Sequence, residues 1–173
     1  VEGGEGGGFK NPNDVASMVL LPLVRSKVDV PIIAAGGLLD GKSMAAAFAL
    51  GAEGIQLGTR MVSALESPVH DNWKNSIVNA EETGTVFLNK FHSPALRALR
   101  TERTSRLEKL EDNVMSEFGT AKDLYFGGDM EAAIPLSGQV AGRIEEIKPV
   151  AQILSEIETE FFETVGALGK HYL

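Results

Sequence analysis

The stretch VPIIAAGGLLDGKSMAAAFALGAEGIQLGTR, residues 30–60, decides the fold that the sequence predicts. Short apolar runs alternate in it with glycine-bearing turns and one alanine-rich segment. This order predicts a strand over 28–35, a helix over 41–50 and a second strand over 54–57. Two strands joined through a helix by short connections are typical of a parallel pair in an α/β fold.

Glycines follow both predicted strands at their carboxyl ends. Gly36 and Gly37 come after the first strand, and Gly58 and Thr59 come after the second. Ligands of parallel α/β sheets bind at this edge, and glycine lets backbone N–H groups approach a phosphate. The alternative is that the glycines only make tight turns. Two such turns on successive strands favour phosphate or cofactor binding.

The composition is that of an acidic globular domain without cysteine. The formal net charge is -8, which disfavours a nucleic-acid partner. The lack of cysteine excludes disulfides and thiolate metal sites, and we expect no metal. No signal peptide or membrane-spanning run is found, so we expect a cytoplasmic protein without a membrane partner. Four arginines at about helical spacing predict a solvated helix face: Arg97, Arg100, Arg103 and Arg106.

Three regions are predicted along the chain. Residues 1–62 hold the strands and the phosphate turns, 63–136 form a mostly helical inserted subdomain, and 137–173 carry a helix that packs back on the sheet. Within the insert only 85–88 predicts a strand, and leucines suited to helix packing follow: Leu96, Leu99, Leu107 and Leu110. The last helix carries apolar residues on one side: Val150, Ile153, Leu154, Ile157 and Phe161.

Two segments near the start of the chain leave alternatives open. The run EGGEGGG, residues 2–8, is too glycine-rich to be a helix or strand, and a flexible tag or linker is one interpretation. Its two glutamates argue against a linker. Pro12 with Asn13 or Asp14 predicts the start of a helix, which Pro22 is expected to kink or divide.

Six motifs resemble the carboxyl-terminal half of the FMN-dependent nitronate monooxygenase family, nearly from end to end of the chain. This family includes 2-nitropropane dioxygenases, NADH:quinone reductases and an enoyl-acyl-carrier-protein reductase. The glycine-turn motifs alone are shared with other FMN barrels, but the combination of the motifs is fairly specific. The motifs are EGGEGGGF at 2–9, AAGGLLDG at 34–41, LGAEGIQLGTR at 50–60, SPVHDNWK at 67–74, ETGT at 82–85 and the pair Gly138 and Gln139.

The resemblance implies the carboxyl-terminal part of a TIM barrel that binds FMN. Backbone amides at the two turns would hold the FMN phosphate, and Gly7 and Gly8 would lie near the flavin. Backbone donors and the Thr59 hydroxyl suit a dianionic phosphate without a metal ion. Gln56 and Gln139 are lesser candidates, since each is equally suited to satisfy buried backbone groups.

One departure from the family bears on the reaction. Nitronate-oxidising members carry a histidine base in the loop that corresponds to residues 2–9 of this chain, called the glycine loop below. This chain has Phe9 in place of the histidine, and phenylalanine cannot accept a proton. Lys10 would have to lose its own proton to act as a base, and a solvated side chain is its ordinary interpretation. His92 is a candidate lid residue or, more simply, a surface histidine. Phe9 itself would stack near the flavin or line an apolar pocket.

These residues favour an NAD(P)H-dependent reductase over a true nitronate oxidase, because reduction of a flavin needs no protein base. The expected substrate is a small molecule such as a quinone or an enoyl thioester. Two alternatives remain open. One is a non-catalytic truncated or split chain that binds FMN phosphate or a partner subunit, and the other is a barrel that binds a sugar phosphate without flavin.

A complete barrel of this type has eight strands and usually about 250 residues. We expect about half of it to be missing from the 173 residues, so that the chain is a fragment or one piece of a split enzyme. Such a chain would expose open sheet edges. The expected partners are therefore the missing barrel half or further copies of the chain.

Overall fold

The computed structural model describes residues 1–172 and has a mixed α/β fold. The strands β1 to β5 are Gly8–Lys10, Ile33–Ala35, Gly54–Gln56, Thr85–Leu88 and Ala95–Leu99. The helices α1 to α7 are Ser17–Arg25, Gly41–Ala49, Thr59–Val62, Asp71–Val78, Glu102–Leu107, Ala121–Tyr125 and Val150–Tyr172. Two 3-10 turns lie at Met115–Glu117 and Gln139–Arg143.

The parallel pair predicted from residues 30–60 is confirmed. Strands β2 and β3 pair in parallel, with Ala34 opposite Ile55, and α2 connects them. Both strands are shorter than expected, with three residues each. The first residues form an isolated parallel bridge with β2, between Glu2 and Ala35: Ala35 N donates to Val1 O at 2.8 Å, and Gly3 N donates to Ala35 O at 3.0 Å. The first residues thus extend the parallel sheet.

A second, antiparallel sheet has the order β1, β5, β4. The helical prediction for Leu96 and Leu99 is wrong, since both lie buried on the central strand β5. That strand is covered on both faces, so it lacks the alternation of polar and apolar residues that marks a half-exposed strand. Because β1 belongs to residues 1–62, the sheet joins the first two predicted regions; their boundaries remain a prediction.

The four arginines do not share one helix face. Arg97 lies on β5 and Arg100 follows that strand, whereas Arg103 and Arg106 belong to α5. A spacing of three residues is compatible with a helix, but the chain here turns from a strand into a short helix. The predicted solvated face is therefore wrong for Arg97, whose side chain is only 12 % exposed.

Helix α1 begins at Ser17, later than the predicted start near Pro12. Pro22 lies inside the helix, which continues to Arg25 in one piece. Helix α2 has the expected position and begins with a capping box, in which the Asp40 side chain accepts from Ser43 N. This cap fixes the end of the first glycine turn, since α2 starts four residues after Gly37.

Helix α7 packs back on α2 and on the parallel sheet of β2 and β3, as predicted. Ile153 and Ile157 are buried against Ala64 and against apolar side chains of α2 and β3. Leu154 was expected on the same buried side, but it is 53 % exposed. Within residues 1–172 no helix combines the length and the apolar character that a membrane crossing requires.

Candidate functional site

A cleft of about 390 Å³ opens at the carboxyl ends of β2 and β3. It is walled by the glycine loop, both glycine turns and the segment that leads into the second 3-10 turn. Both turns thus face one cleft, as expected for the carboxyl ends of neighbouring parallel strands. The lining residues are Val1, Glu2, Glu5, Gly6, Gly7, Gly8, Ala35, Gly36, Gly37, Leu38, Gln56, Gly58, Thr59, Val62, Leu136, Gly138 and Val140.

The first turn needs glycine for conformation and for space. Gly36 and Gly37 have positive φ angles of 82° and 77°, where an L side chain is strained. A Cβ on Gly36 would lie 2.8 Å from Gly3 O and 2.9 Å from Gly6 N. The glycine loop therefore packs directly on the backbone of the first turn.

The second turn presents its backbone to the cleft without strain. Gly58 has a φ of -101°, and a Cβ there would meet no protein atom within 4 Å. Thr59 is buried, and its hydroxyl oxygen accepts from Gly138 N at 2.8 Å, so its own proton remains free to donate. Within residues 1–172 the amides of Gly37, Gly58 and Thr59 donate to no protein acceptor. Three amides and one hydroxyl are thus available to a ligand.

The glycine loop is held by side chains at several points, which excludes its interpretation as a flexible linker. The Glu5 carboxylate accepts from the backbone N and the hydroxyl of Ser17, each at 3.0 Å. Lys10 Nζ donates to Gly3 O at 2.7 Å and lies 3.4 Å from the Glu2 carboxylate. Lys10 is buried by these contacts, so the expectation of a solvated side chain is wrong.

Arg97 reaches the same loop from β5. Its Nε donates to Gly4 O at 2.8 Å, and its guanidinium lies 3.7 Å from the Asp14 carboxylate. Burial lowers the pKa of Arg97, an effect that the nearby carboxylates of Asp14 and Glu5 oppose. The guanidinium keeps its charge even so, because the ordinary arginine pKa lies far above neutrality. The antiparallel sheet is thereby connected to the wall of the cleft.

The remaining predicted glycines lie in the cleft as well. A Cβ on Gly7 would overlap the backbone at Ser137 and Gly138, so the loop and this segment are in direct contact. Gly8 has a φ of 93° and open space where its Cβ would be. Gly138 also lines the cleft. It was not among the predicted site residues, although the sequence motif of Gly138 and Gln139 pointed to this segment.

The two predicted glutamines are separated. Gln56 lines the cleft with an exposed side chain, whereas the exposed side chain of Gln139 does not belong to the lining. Gln139 contributes through its backbone, because its N–H donates to Glu5 O at 2.9 Å. Its backbone thus supports the loop, and a contact between its side chain and a ligand stays a prediction.

None of the candidates for a catalytic base lies in the cleft lining. Phe9 is 56 % exposed and stacks on Phe118 with ring centroids 6.0 Å apart, outside the lining. The ring Nε2 of His92 lies 2.9 Å from Glu111 O, also outside it. The ionisable side chains of the described lining are Glu2 and Glu5, and both have the partners given above.

The family model of nitronate monooxygenase matches residues 1–160 of the chain. A probable nitronate monooxygenase of Staphylococcus aureus (strain JH9) is 29 % identical over 90 % of this chain and 46 % of its own length. The chain is also similar to (3aS,4S,5R,7aS)-5-hydroxy-7a-methyl-1-oxo-octahydro-1H-indene-4-carboxyl-CoA dehydrogenase of Rhodococcus jostii (strain RHA1). That similarity is 42 % identity over 62 % of this chain and 30 % of the relative.

A solved structure of FabK from Thermotoga maritima superposes on the chain with a TM-score of 0.92 and 42 % identity. The match covers 99 % of this chain and 56 % of FabK. The chain therefore spans about half, or less, of the length of these relatives. Because the family model covers nearly all of the sequence and the glycine cleft lies inside the matched residues, the chain belongs to the nitronate monooxygenase family.

Proposed function

We propose that the protein is an FMN-dependent oxidoreductase that takes electrons from NADH or NADPH. The observation that carries the proposal is the cleft itself. Two glycine turns at the carboxyl ends of neighbouring parallel strands offer it the unpaired amides of Gly37, Gly58 and Thr59. Such a set of neutral donors at this edge of a parallel sheet suits a phosphate group.

The residues of the cleft fit the phosphate end of FMN. A side chain at Gly58 would project into open cleft, and this space is available only because the residue is glycine. The Thr59 hydroxyl adds a donor, and its contact with Gly138 fixes its direction. Gly7, Gly8 and Gln56 also line the cleft, and they would lie near the flavin of a bound FMN. Bound FMN would supply the transfer of hydride or electrons.

The cleft favours a reductase over a nitronate oxidase. Phe9 occupies the position of the family's histidine base and turns toward Phe118. Glu5 is held by Ser17 and Glu2 by Lys10, so neither carboxylate is placed to collect a substrate proton. A reaction that begins with flavin reduction by NAD(P)H needs no such base.

The expected acceptor is a small molecule, either a quinone or an enoyl thioester. The Rhodococcus relative is named as a dehydrogenase of a carboxyl-CoA compound, which favours the thioester. This preference comes from similarity over 62 % of the chain. The residues that distinguish the two acceptors are expected outside the 173 residues.

The complete enzyme is proposed to be a TIM barrel, with the present chain as its carboxyl-terminal part. Ile33 of β2 is 57 % exposed, while its neighbours Ile32 and Ala34 are buried against the helices. An apolar residue on the uncovered face of a short parallel sheet suits a barrel, in which further strands close around that face and bury it. Those strands would come from the rest of a longer chain, a partner subunit or a second copy. We propose a cytoplasmic location for this enzyme.

The test compares the full-length protein with its Phe9→His variant under two assays. We expect the wild type to oxidise NADH or NADPH in the presence of a quinone or an enoyl thioester, and to leave nitronates unchanged. The variant should gain nitronate oxidation, because the imidazole restores a base at the family position. Wild-type nitronate oxidation as fast as that of the variant would contradict the reductase proposal. A wild type that binds FMN and reduces nothing would favour the non-catalytic alternative.

A further inference from the structure

Arg97 is the basic residue that ties the antiparallel sheet to the middle of the glycine loop. It donates from Nε to Gly4 O, and its guanidinium also lies over the Phe87 ring, 5.1 Å from the centroid. The aromatic contact and the burial of the side chain restrict its conformations. The position of Gly4 is therefore set by a side chain that comes from 93 residues further along the chain.

The residue next to Gly4 reaches the first glycine turn. The Glu5 carboxyl carbon lies 3.5 Å from the place where a Cβ of Gly37 would be. The Ser17 hydroxyl, which donates to Glu5, is also 3.1 Å from Gly36 O. Loop and turn thus form one contact network beside the proposed phosphate position.

The network places the negative charge of Glu5 beside the proposed phosphate position. A carboxylate beside the turn repels a dianionic phosphate, and the repulsion is strong where water is partly excluded. Ser17 supplies hydrogen bonds to Glu5 but no formal charge. Arg97 supplies a positive charge to this part of the loop, since it donates to the carbonyl of Gly4, the neighbour of Glu5, and lies 3.7 Å from the Asp14 carboxylate.

We propose that Arg97 is a positioning residue for FMN, which acts through the glycine loop and offsets the charge of Glu5 beside the phosphate. This inference rests on the proposed function, because it requires FMN in the cleft. Arg97 is not in the cleft lining, so it acts without touching the cofactor. Its removal should therefore weaken binding of the phosphate in particular.

The experiment measures the dissociation constants of FMN and riboflavin, by quenching of flavin fluorescence, for the full-length apoprotein and its Arg97→Met variant. Riboflavin lacks the phosphate and serves as the internal control. We expect FMN binding to weaken by about tenfold, the loss typical of one hydrogen bond to a charged group. Riboflavin binding should change by less than about twofold, since riboflavin has no phosphate charge for Glu5 to repel.

Arg100→Met is the matched control, because Arg100 follows the same strand but is exposed and pairs with Glu108. It should leave both dissociation constants unchanged. Arg97→Lys keeps the charge and loses the Nε donor, so it should recover part of the FMN affinity. If Arg97→Met does not fold, the ratio of the FMN to the riboflavin constant is read from Arg97→Gln, which removes the charge and keeps an amide donor.

An equal loss for FMN and riboflavin would mean a general loosening of the loop and would overturn the inference. An FMN constant unchanged in Arg97→Met would overturn it as well, and so would an unchanged ratio in Arg97→Gln when that variant replaces it. A wild type that binds riboflavin as tightly as FMN, or binds neither, would instead overturn the proposed phosphate site.

Discussion

Gly37 and Gly58 line the same cleft, yet they need to be glycine for different physical reasons. Gly37 has a φ of 77°, so any L side chain there is strained. Gly58 has a φ of -101° and open space beyond its Cα. A side chain at Gly58 would enter the cleft without disturbing the protein. Gly58 therefore tests ligand binding separately from folding.

The Gly58→Val variant of the full-length protein should lose FMN on gel filtration, because the side chain fills the proposed phosphate position. Its free energy of unfolding should fall by no more than about 1 kcal/mol, the cost of a poorer residue at the start of a helix. Gly166→Val is the control, since Gly166 lies in α7 with open space around it. Flavin occupancy in Gly58→Val equal to that of the control would contradict the phosphate assignment.

The residues of the cleft were predictable where they lie close together in the sequence. Gly36, Gly37, Gly58 and Thr59 follow strands that local patterns reveal, and all four line the cleft. Arg97 was missed because its partner in the loop lies far away along the chain. No local spacing signals such a contact, and the strand that carries Arg97 had been predicted as a helix.

At the scale of elements, the start of α2 depends on one carboxylate. Asp40 accepts from Ser43 N at 2.8 Å and pairs with Arg143. Burial by itself raises the pKa of Asp40, but the hydrogen bonds from Ser43 and the charge of Arg143 outweigh it, and the net pKa is lowered. A lowered carboxyl pKa stabilises the fold at neutral pH.

The contribution of Asp40 should be lost in acid. It is present above the ordinary aspartate pKa of 3.8 and disappears as the pH falls through the lower pKa of the folded state. Asp40→Ala should lower the free energy of unfolding by about 1 kcal/mol at pH 7, the usual cost of a lost N-cap. Urea titrations at decreasing pH should show this difference in unfolding free energy shrinking once the pH falls below 3.8. Asp29→Ala removes a fully exposed carboxylate and should leave the free energy of unfolding unchanged at pH 7 and in acid.

The contact between α2 and α7 depends on Gly41. A Cβ on Gly41 would overlap the backbone at Ile157, Glu160 and Phe161, so the two helices meet without an intervening side chain. Glu160 also accepts from Gly41 N at 2.8 Å. This close approach places α7 over the parallel strands behind the cleft.

Gly41→Ala should destabilise the protein by about 1–3 kcal/mol, because α7 has to shift to make room for a methyl group. Thermal unfolding of the full-length protein measures the effect. Gly169→Ala, which lies in α7 with open space around it, should instead be neutral or stabilising by up to about 1 kcal/mol. Equal melting temperatures for the two variants would contradict the proposed contact.

Whether an element could be predicted from the sequence depended on whether one or both of its faces are buried. Helix α2 and strands β2 and β3 follow simple patterns, and the sequence predicts all three, although the strand predicted over 28–35 starts well before β2. Strand β5 is buried on both faces, and its apolar residues gave no alternation that separates a strand from a helix. Pairing with β1 decides its structure, and that pairing joins residues 8–10 to residues 95–97. Such tertiary information is absent from any local window.

At the scale of the whole molecule, Ile33 tests whether further strands cover the parallel sheet. Ile33→Asp should destabilise the full-length protein by at least about 3 kcal/mol, because the barrel would bury an unpaired charge. Val30→Asp is the control at nearly equal exposure, 59 % against 57 %, and it lies outside β2. Its cost should stay below about 1 kcal/mol. Similar small costs at both positions, measured by urea unfolding, would contradict a closed barrel.

The central claim is that the cleft holds a flavin that accepts electrons from a nicotinamide. The most direct measurement is the absorbance spectrum of the purified full-length protein between roughly 350 and 500 nm, followed by anaerobic addition of NADH or NADPH. We expect the bands of an oxidised flavin, which bleach when the reductant is added. A colourless protein that takes up no added FMN, or flavin bands that neither reductant bleaches, would contradict the claim.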